Sequence, residues 1–114
     1  MIDIIATYRE EKNNPKLVEL PPGFFDLADQ ALHEMQSEEM EGEFGQEIKA
    51  QNIQSASRSL ETLSDIRIKK ILKGAIADAY REKPEHDKDF FTSKEKVLYA
   101  NIVSGIREIK GRNV

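Results

Sequence analysis

The segment His33-Glu34-Met35-Gln36-Ser37 comes within one residue of His-Glu-x-x-His. In that pattern two imidazoles one helical turn apart hold zinc and the glutamate acts as a base. Ser37 stands where the second histidine belongs, so one imidazole remains and no metal centre is expected. The carboxylates from Glu34 to Glu47 lack the ligand order of a calcium loop and read as a solvated acidic face. The chain has no cysteine, which excludes disulfides, thiol catalysis and thiolate-held zinc or iron–sulfur clusters. His86 lies in a charged stretch, and no nucleophile elbow, phosphate-binding glycine loop or dinucleotide fingerprint occurs. Catalytic, cofactor and metal sets are all expected to be empty, and the chain is not expected to be an enzyme.

Lys69, Lys70 and Lys73 raise the question of nucleic acid. No aromatic residues are interleaved among them, so they read as helix-solubilising residues. Charge is nevertheless divided along the chain. Residues 1–57 hold 4 Lys/Arg against 12 Asp/Glu, and residues 58–114 hold 13 against 9, giving the net −4 of the whole. A sequence pI near 5.3 argues against a dedicated DNA-binding domain, whereas opposite halves can steer subunits together. A small helical nucleic-acid-binding domain using the basic C-terminal half is the alternative; its phosphate contacts would weaken steeply with salt.

The elements that would position these residues read as helices. The 114 residues fit one domain with room for a core. No apolar run approaches the roughly 20 residues that span a bilayer, and Met1-Ile2-Asp3-Ile4 lacks the basic segment and apolar core of a signal peptide, so no membrane contact and a cytoplasmic location are expected. Ile2, Ile5 and Ala6 start a first short helix, ended by Asn13-Asn14-Pro15. Lys16 to Leu20 is an extended connector, because it runs into Pro21-Pro22-Gly23 and has no second strand to pair with. Pro22 suits the first turn of a second helix carrying Phe24, Leu27, Ala28, Ala31, Leu32 and Met35, with its break at Gly42.

From Glu43 to Lys83 no proline intervenes, and only Gly45 and Gly74 interrupt a helical pattern that Pro84 stops. Straight, it would run about 60 Å, so it must bend, break near Gly74, or project for other chains to pack on. Glu85 to Asp89 reads as a polar loop. Thr92-Ser93-Lys94-Glu95 spells a capping box for the last helix, with Val97, Leu98, Ile102, Val103, Ile106 and Ile109 as its stripe up to Gly111. The predicted class is all-α: about four helices around one long central helix, without a sheet, as a single domain over 1–114.

Within that long helix, Leu60, Ser64, Ile68, Ile71, Leu72, Ala75 and Ala79 fall on one arc at 100° per residue, while Leu63 and Ile66 point away from it. One small core does not bury both sets. Leu63 and Ile66 are therefore expected at a subunit interface, with Lys70 beside them, unless a bend or another helix of the same chain covers them. Arg67 sits at the arc's edge, and its fixed fork suits a bidentate carboxylate on another helix better than catalysis.

Three ordered segments resemble the helical A domain of GINS subunits, particularly archaeal ones in which that domain comes first. They are LVELPPGFF (Leu20, Pro21, Pro22, Phe24, Phe25), SLETLSDIRIKKILKGA (Leu60, Leu63, Arg67, Lys70, Ile71) and FFTSKEKVLYANIVSGIREI (Thr92, Glu95). Together they span nearly the whole chain. The resemblance implies a noncatalytic structural subunit of a homo- or hetero-tetramer that joins the MCM helicase and a RecJ-like protein in chromosomal DNA replication, with DNA contact weak or indirect. Subunits of this order normally carry a small β-rich B domain after the A domain, and this sequence stops at Val114 without one. Leu63, Ile66, Arg67 and Lys70 are the interface set that follows.

Overall fold

The computed structural model describes residues 2–81 and 90–111. They form α1 (Ile4–Asn13), α2 (Phe24–Ser37), α3 (Gly42–Ala79) and α4 (Ser93–Ile109), with no strand among the described residues. The protein is an all-α bundle around one long helix. The expected stop at Pro84 and the polar loop from Glu85 to Asp89 lie outside the described residues.

Local chemistry explains most of the helix starts. At α1, the Asp3 side chain accepts a hydrogen bond from the Ala6 amide at 3.0 Å, satisfying one of the orphan donors of a first turn. The α2 start is a correction: Gly23 has φ +68, a conformation that side-chain-bearing residues resist. The Phe24 amide donates to the Pro21 carbonyl at 3.1 Å, so Pro22 lies in the turn before the helix. Between α2 and α3 the break spans Glu38 to Glu41, and Gly42, with φ +75, opens α3. The α4 start carries both halves of the predicted capping box.

The 38 residues of α3 run unbroken through Gly74, about 57 Å at 1.5 Å per residue. The molecule accordingly measures 64 × 22 × 20 Å, with a radius of gyration of 18.2 Å where a compact chain of this length has about 13 Å. α2 folds back along the N-terminal half of α3, so that Lys49 Nζ reaches the Gln36 and Glu38 carbonyls at 2.8 and 2.6 Å. α1 and α4 lie along the second half.

Two apolar clusters result. The first joins Ile4, Phe24, Ala28, Ala56 and Leu63, flanked by Leu20, Leu32, Met35 and Leu60. The second joins Ile71, Ala75 and Tyr99, flanked by Leu17, Phe91, Leu98, Ile102 and Val103. On α1 the buried residues are Ile4 and Glu11, while Ala6 is exposed; on α4 the expected stripe holds at its centre but leaves Val97 and Ile109 exposed.

The core line along α3 also departs from the expected arc. Ala56, Leu63, Arg67, Ile71, Gly74, Ala75, Asp78 and Ala79 are buried, a line rotated by roughly 60° from the apolar arc at 3.6 residues per turn. Leu63 is fully enclosed, whereas Ile68 is 41% exposed. Hydrophobic periodicity missed this rotation because Ala56 and Gly74 are buried with little or no apolar side chain to register in the pattern, and Arg67 and Asp78 are buried through polar partners.

Candidate functional site: the Arg67 centre and an uncovered helix face

Arg67 lies one turn from Leu63 and one turn from Ile71, between the two apolar clusters. Its guanidinium has five N–H donors in a fixed fork, and all five are used. Nε and Nη2 grip Glu95 at 2.8 Å each, Nη1 reaches Glu11 Oε1 at 2.6 Å and the Val18 carbonyl at 2.7 Å, and Nη2 also reaches the Phe90 carbonyl at 2.9 Å. Arg67 thereby ties α1, α4, the connector before α2 and the segment before α4 to one point on α3. The bidentate carboxylate expected on another helix is Glu95.

Each of the two carboxylates accepts three hydrogen bonds. Glu11 Oε2 accepts from the Val18 amide at 3.1 Å and from Lys70 Nζ at 2.5 Å, and Lys70 also donates to the Glu11 and Lys16 carbonyls at 2.7 and 2.9 Å. Glu95 Oε1 accepts from the Thr92 amide at 2.9 Å while Thr92 Oγ1 accepts from the Glu95 amide at 3.3 Å. One carboxylate thus completes the cap of α4 and docks that helix on α3. Two cations balance two anions in the cluster. Burial alone would lower the Arg67 pKa, but hydrogen bonds and charge from Glu95 and Glu11 raise it. Burial alone would likewise raise Glu95, but the Arg67 fork and the Thr92 amide hold it below the usual carboxylate range. With every guanidinium donor taken, the cluster locks helices together.

A second buried polar group sits further along α3. Asp78 Oδ2 accepts from the Tyr99 hydroxyl at 2.5 Å and Oδ1 from Arg81 at 3.3 Å. Burial, reinforced by the Asp78 hydrogen bond and charge, pushes the Tyr99 hydroxyl up to about 12. Among the described residues no buried side-chain nitrogen or oxygen lacks a partner.

The structure therefore divides the four expected interface residues. Leu63 and Arg67 are fully enclosed within the chain, and Lys70 spends its ammonium on the chain's own α1 and connector. These three serve the intrachain core because α1, the connector and α4 cover that side of α3. Ile66, half-buried, remains on the outward side. Of the expected motif residues, Phe24 is buried and Leu20 and Phe25 flank the first cluster, while Pro21 and Pro22 are exposed in the turn. His33 and Glu34 are exposed on α2, Ser37 donates its hydroxyl to the His33 carbonyl at 3.1 Å, and no three potential ligands converge among the described residues. No helix of the described residues is long and apolar enough to cross a membrane.

Sequence reasoning missed Glu11, Asp78 and Tyr99. For Glu11 a signal existed: it follows Ile4 and Tyr8 at helical spacing, which places a carboxylate on the buried stripe of α1.

What α3 leaves open differs in kind from what it encloses. Phe44 is 76% exposed, and Ile48, Ile76 and Tyr80 are also exposed. Between the connector, α3 and the start of α4 lies a groove of about 590 Å³ lined by Leu17, Ile71, Gly74, Ala77, Phe90 and Phe91, with Lys16, Lys70, Lys73 and Arg81 around it. No family model, curated protein or solved structure matches the chain.

Proposed function

We propose that this chain is a noncatalytic structural subunit of a GINS-like complex that supports the replicative MCM helicase, acting through helix-mediated assembly. One observation carries the assembly role: α3 is about three times as long as the bundle is wide, and it leaves Phe44, Ile48 and half-buried Ile66 on a side that its own helices do not cover. An isolated chain gains nothing by holding a helix of this length and keeping a phenyl ring in water, whereas a subunit gains a packing surface. The replication role draws its support from the order of the Leu20–Phe25, Leu60–Ile71 and Thr92–Glu95 segments. A tetramer, homo- or heteromeric, and contacts to MCM and a RecJ-like protein belong to the same proposal.

Native mass measurement of the chain, alone and co-expressed with candidate partner subunits, tests assembly, and retention of an MCM helicase on the immobilised complex tests the replication role. A chain that stays monomeric in every combination removes the assembly role, and an assembled complex that never retains the helicase removes the replication role. Nucleic-acid binding is separated by salt: a dissociation constant below about 1 µM for DNA at about 150 mM salt, weakening steeply as salt rises, would favour the basic-half alternative.

A further inference from the structure

The uncovered side of α3 is arranged symmetrically about Ser55. Phe44, Ile48, Ser55, Thr62 and Ile66 fall within about 40° of one another around the helix at 3.6 residues per turn. Phe44 and Ile66 stand eleven residues to either side of Ser55, and Ile48 and Thr62 stand seven to either side. Glu41 and Lys69 lie one heptad further out, fourteen residues from Ser55 in each direction. They are opposite in charge and exposed, and neither forms an ion pair among the described residues.

Such a line complements itself when reversed. Turned end over end about Ser55, it lays Phe44 on Ile66, Ile48 on Thr62 and Glu41 beside Lys69, each of them twice, because residue i meets j while j meets i. Laid parallel, it would set Glu41 on Glu41 and Lys69 on Lys69. The wider charge follows the same sense: residues 24–55 hold 1 Lys/Arg against 8 Asp/Glu, and residues 56–81 hold 6 against 3. Ser55 and Thr62 are exposed and short-chained, so two helix axes can approach closely at the centre. The line keeps nearly one direction over the roughly 33 Å from Phe44 to Ile66, so the two helices lie alongside one another.

We infer that two copies of the chain pair through this seam, antiparallel, with the two-fold axis at Ser55. The pairing rests on the assembly role proposed above and names its first partner as a second copy. Phe44, 76% exposed in the single chain, is then covered by the partner, together with Ile48 and Ile66. The apolar contacts at each end of the seam carry the affinity, while Glu41 and Lys69 steer the encounter and fix the antiparallel sense.

The chain has no cysteine, so single thiols can report the register. Under mild oxidation Ser55→Cys should give a disulfide-linked dimer, because a residue on the axis meets its own copy. Ala50→Cys, exposed but about 140° around α3 from Ser55, should not. Sedimentation over a concentration series should show a monomer–dimer equilibrium that weakens with salt. Phe44→Ala removes two contacts per dimer and should raise the dissociation constant at least about tenfold, with the circular dichroism spectrum unchanged. Lys69→Glu should weaken pairing, and adding Glu41→Lys should regain most of the loss. Equal linking of Ser55→Cys and Ala50→Cys, undiminished pairing of Phe44→Ala, or a double variant no better than Lys69→Glu overturns the seam. A chain that is monomeric alone yet assembles with co-expressed subunits overturns it too and leaves the assembly role standing; a chain that assembles with nothing removes both.

Discussion

Arg67 and Phe44 lie on the same helix and invert the usual rule of burial. The charged residue is fully enclosed and the aromatic one is 76% exposed. Around Arg67 the chain brings up α1, α4 and two connecting segments, and together they offer as many acceptors as the guanidinium has donors. Phe44 is left outside both apolar clusters of the described residues, and α2 packs on another side of α3 through Ala28 and Leu32. Burial along α3 thus follows the supply of partners, not side-chain polarity. Where the chain supplies partners even a charge goes inside; where it does not, an apolar ring stays in water.

Substitutions sharpen the contrast, most strongly at the enclosed end. Leu63→Glu should unfold the chain at every concentration, because it puts a carboxylate where neither water nor a cation is available; Ile71→Glu should do the same. Ile66→Glu, directed outward, should keep the helical spectrum and lose assembly, with the defect shrinking as protein is added. If Ile66→Glu melts like Leu63→Glu by circular dichroism, the two sides of α3 are not distinct.

Next in size, Arg67→Met should cost about 3–5 kcal/mol in chemical denaturation, since Glu95 is left partly buried without its fork. A loss below about 1 kcal/mol would mean that the cluster only fills space.

A smaller effect depends on pH. The folded-state pKa of Glu95 is depressed, so its contribution is complete above the unfolded value of about 4.3 and is lost as pH falls through the lower folded value. Glu95→Gln should therefore cost about 1.5–3 kcal/mol near neutrality and flatten the acid limb of the stability curve. Tyr99 behaves oppositely: its hydroxyl is raised to about 12, so its contribution holds below the unfolded value of about 10 and disappears as pH rises from there toward 12. Tyr99→Phe should remove that alkaline step, read from thermal melts across pH 9–12.

The smallest expected change is at the open end. Phe44→Ala should alter the stability of the lone chain by no more than about 0.5 kcal/mol, measured by urea denaturation at a concentration where the chain is monomeric. A loss of about 2 kcal/mol or more would place Phe44 in the chain's own core.

Local chemistry in the sequence determined the helices. Asp3 caps α1 and the Thr92–Glu95 box caps α4 through bonds three residues apart. The two prolines and Gly23 keep the connector out of any helix, and the proline-free run from Gly42 yields α3. These interactions span only a few residues and are legible in order along the chain. The sequence also indicated that Arg67 would meet a carboxylate on another helix, because the guanidinium demands one. Only the tertiary structure decided which carboxylates, and which side of α3 is inside. Glu11 lies 56 residues from Arg67 and Glu95 lies 28 away, and nothing local links them. The core line turned toward Leu63 because the small residues Ala56 and Gly74 and the buried polar groups Arg67 and Asp78 gain their place from what packs against them, a property of the assembled helices that apolar spacing along one helix does not contain.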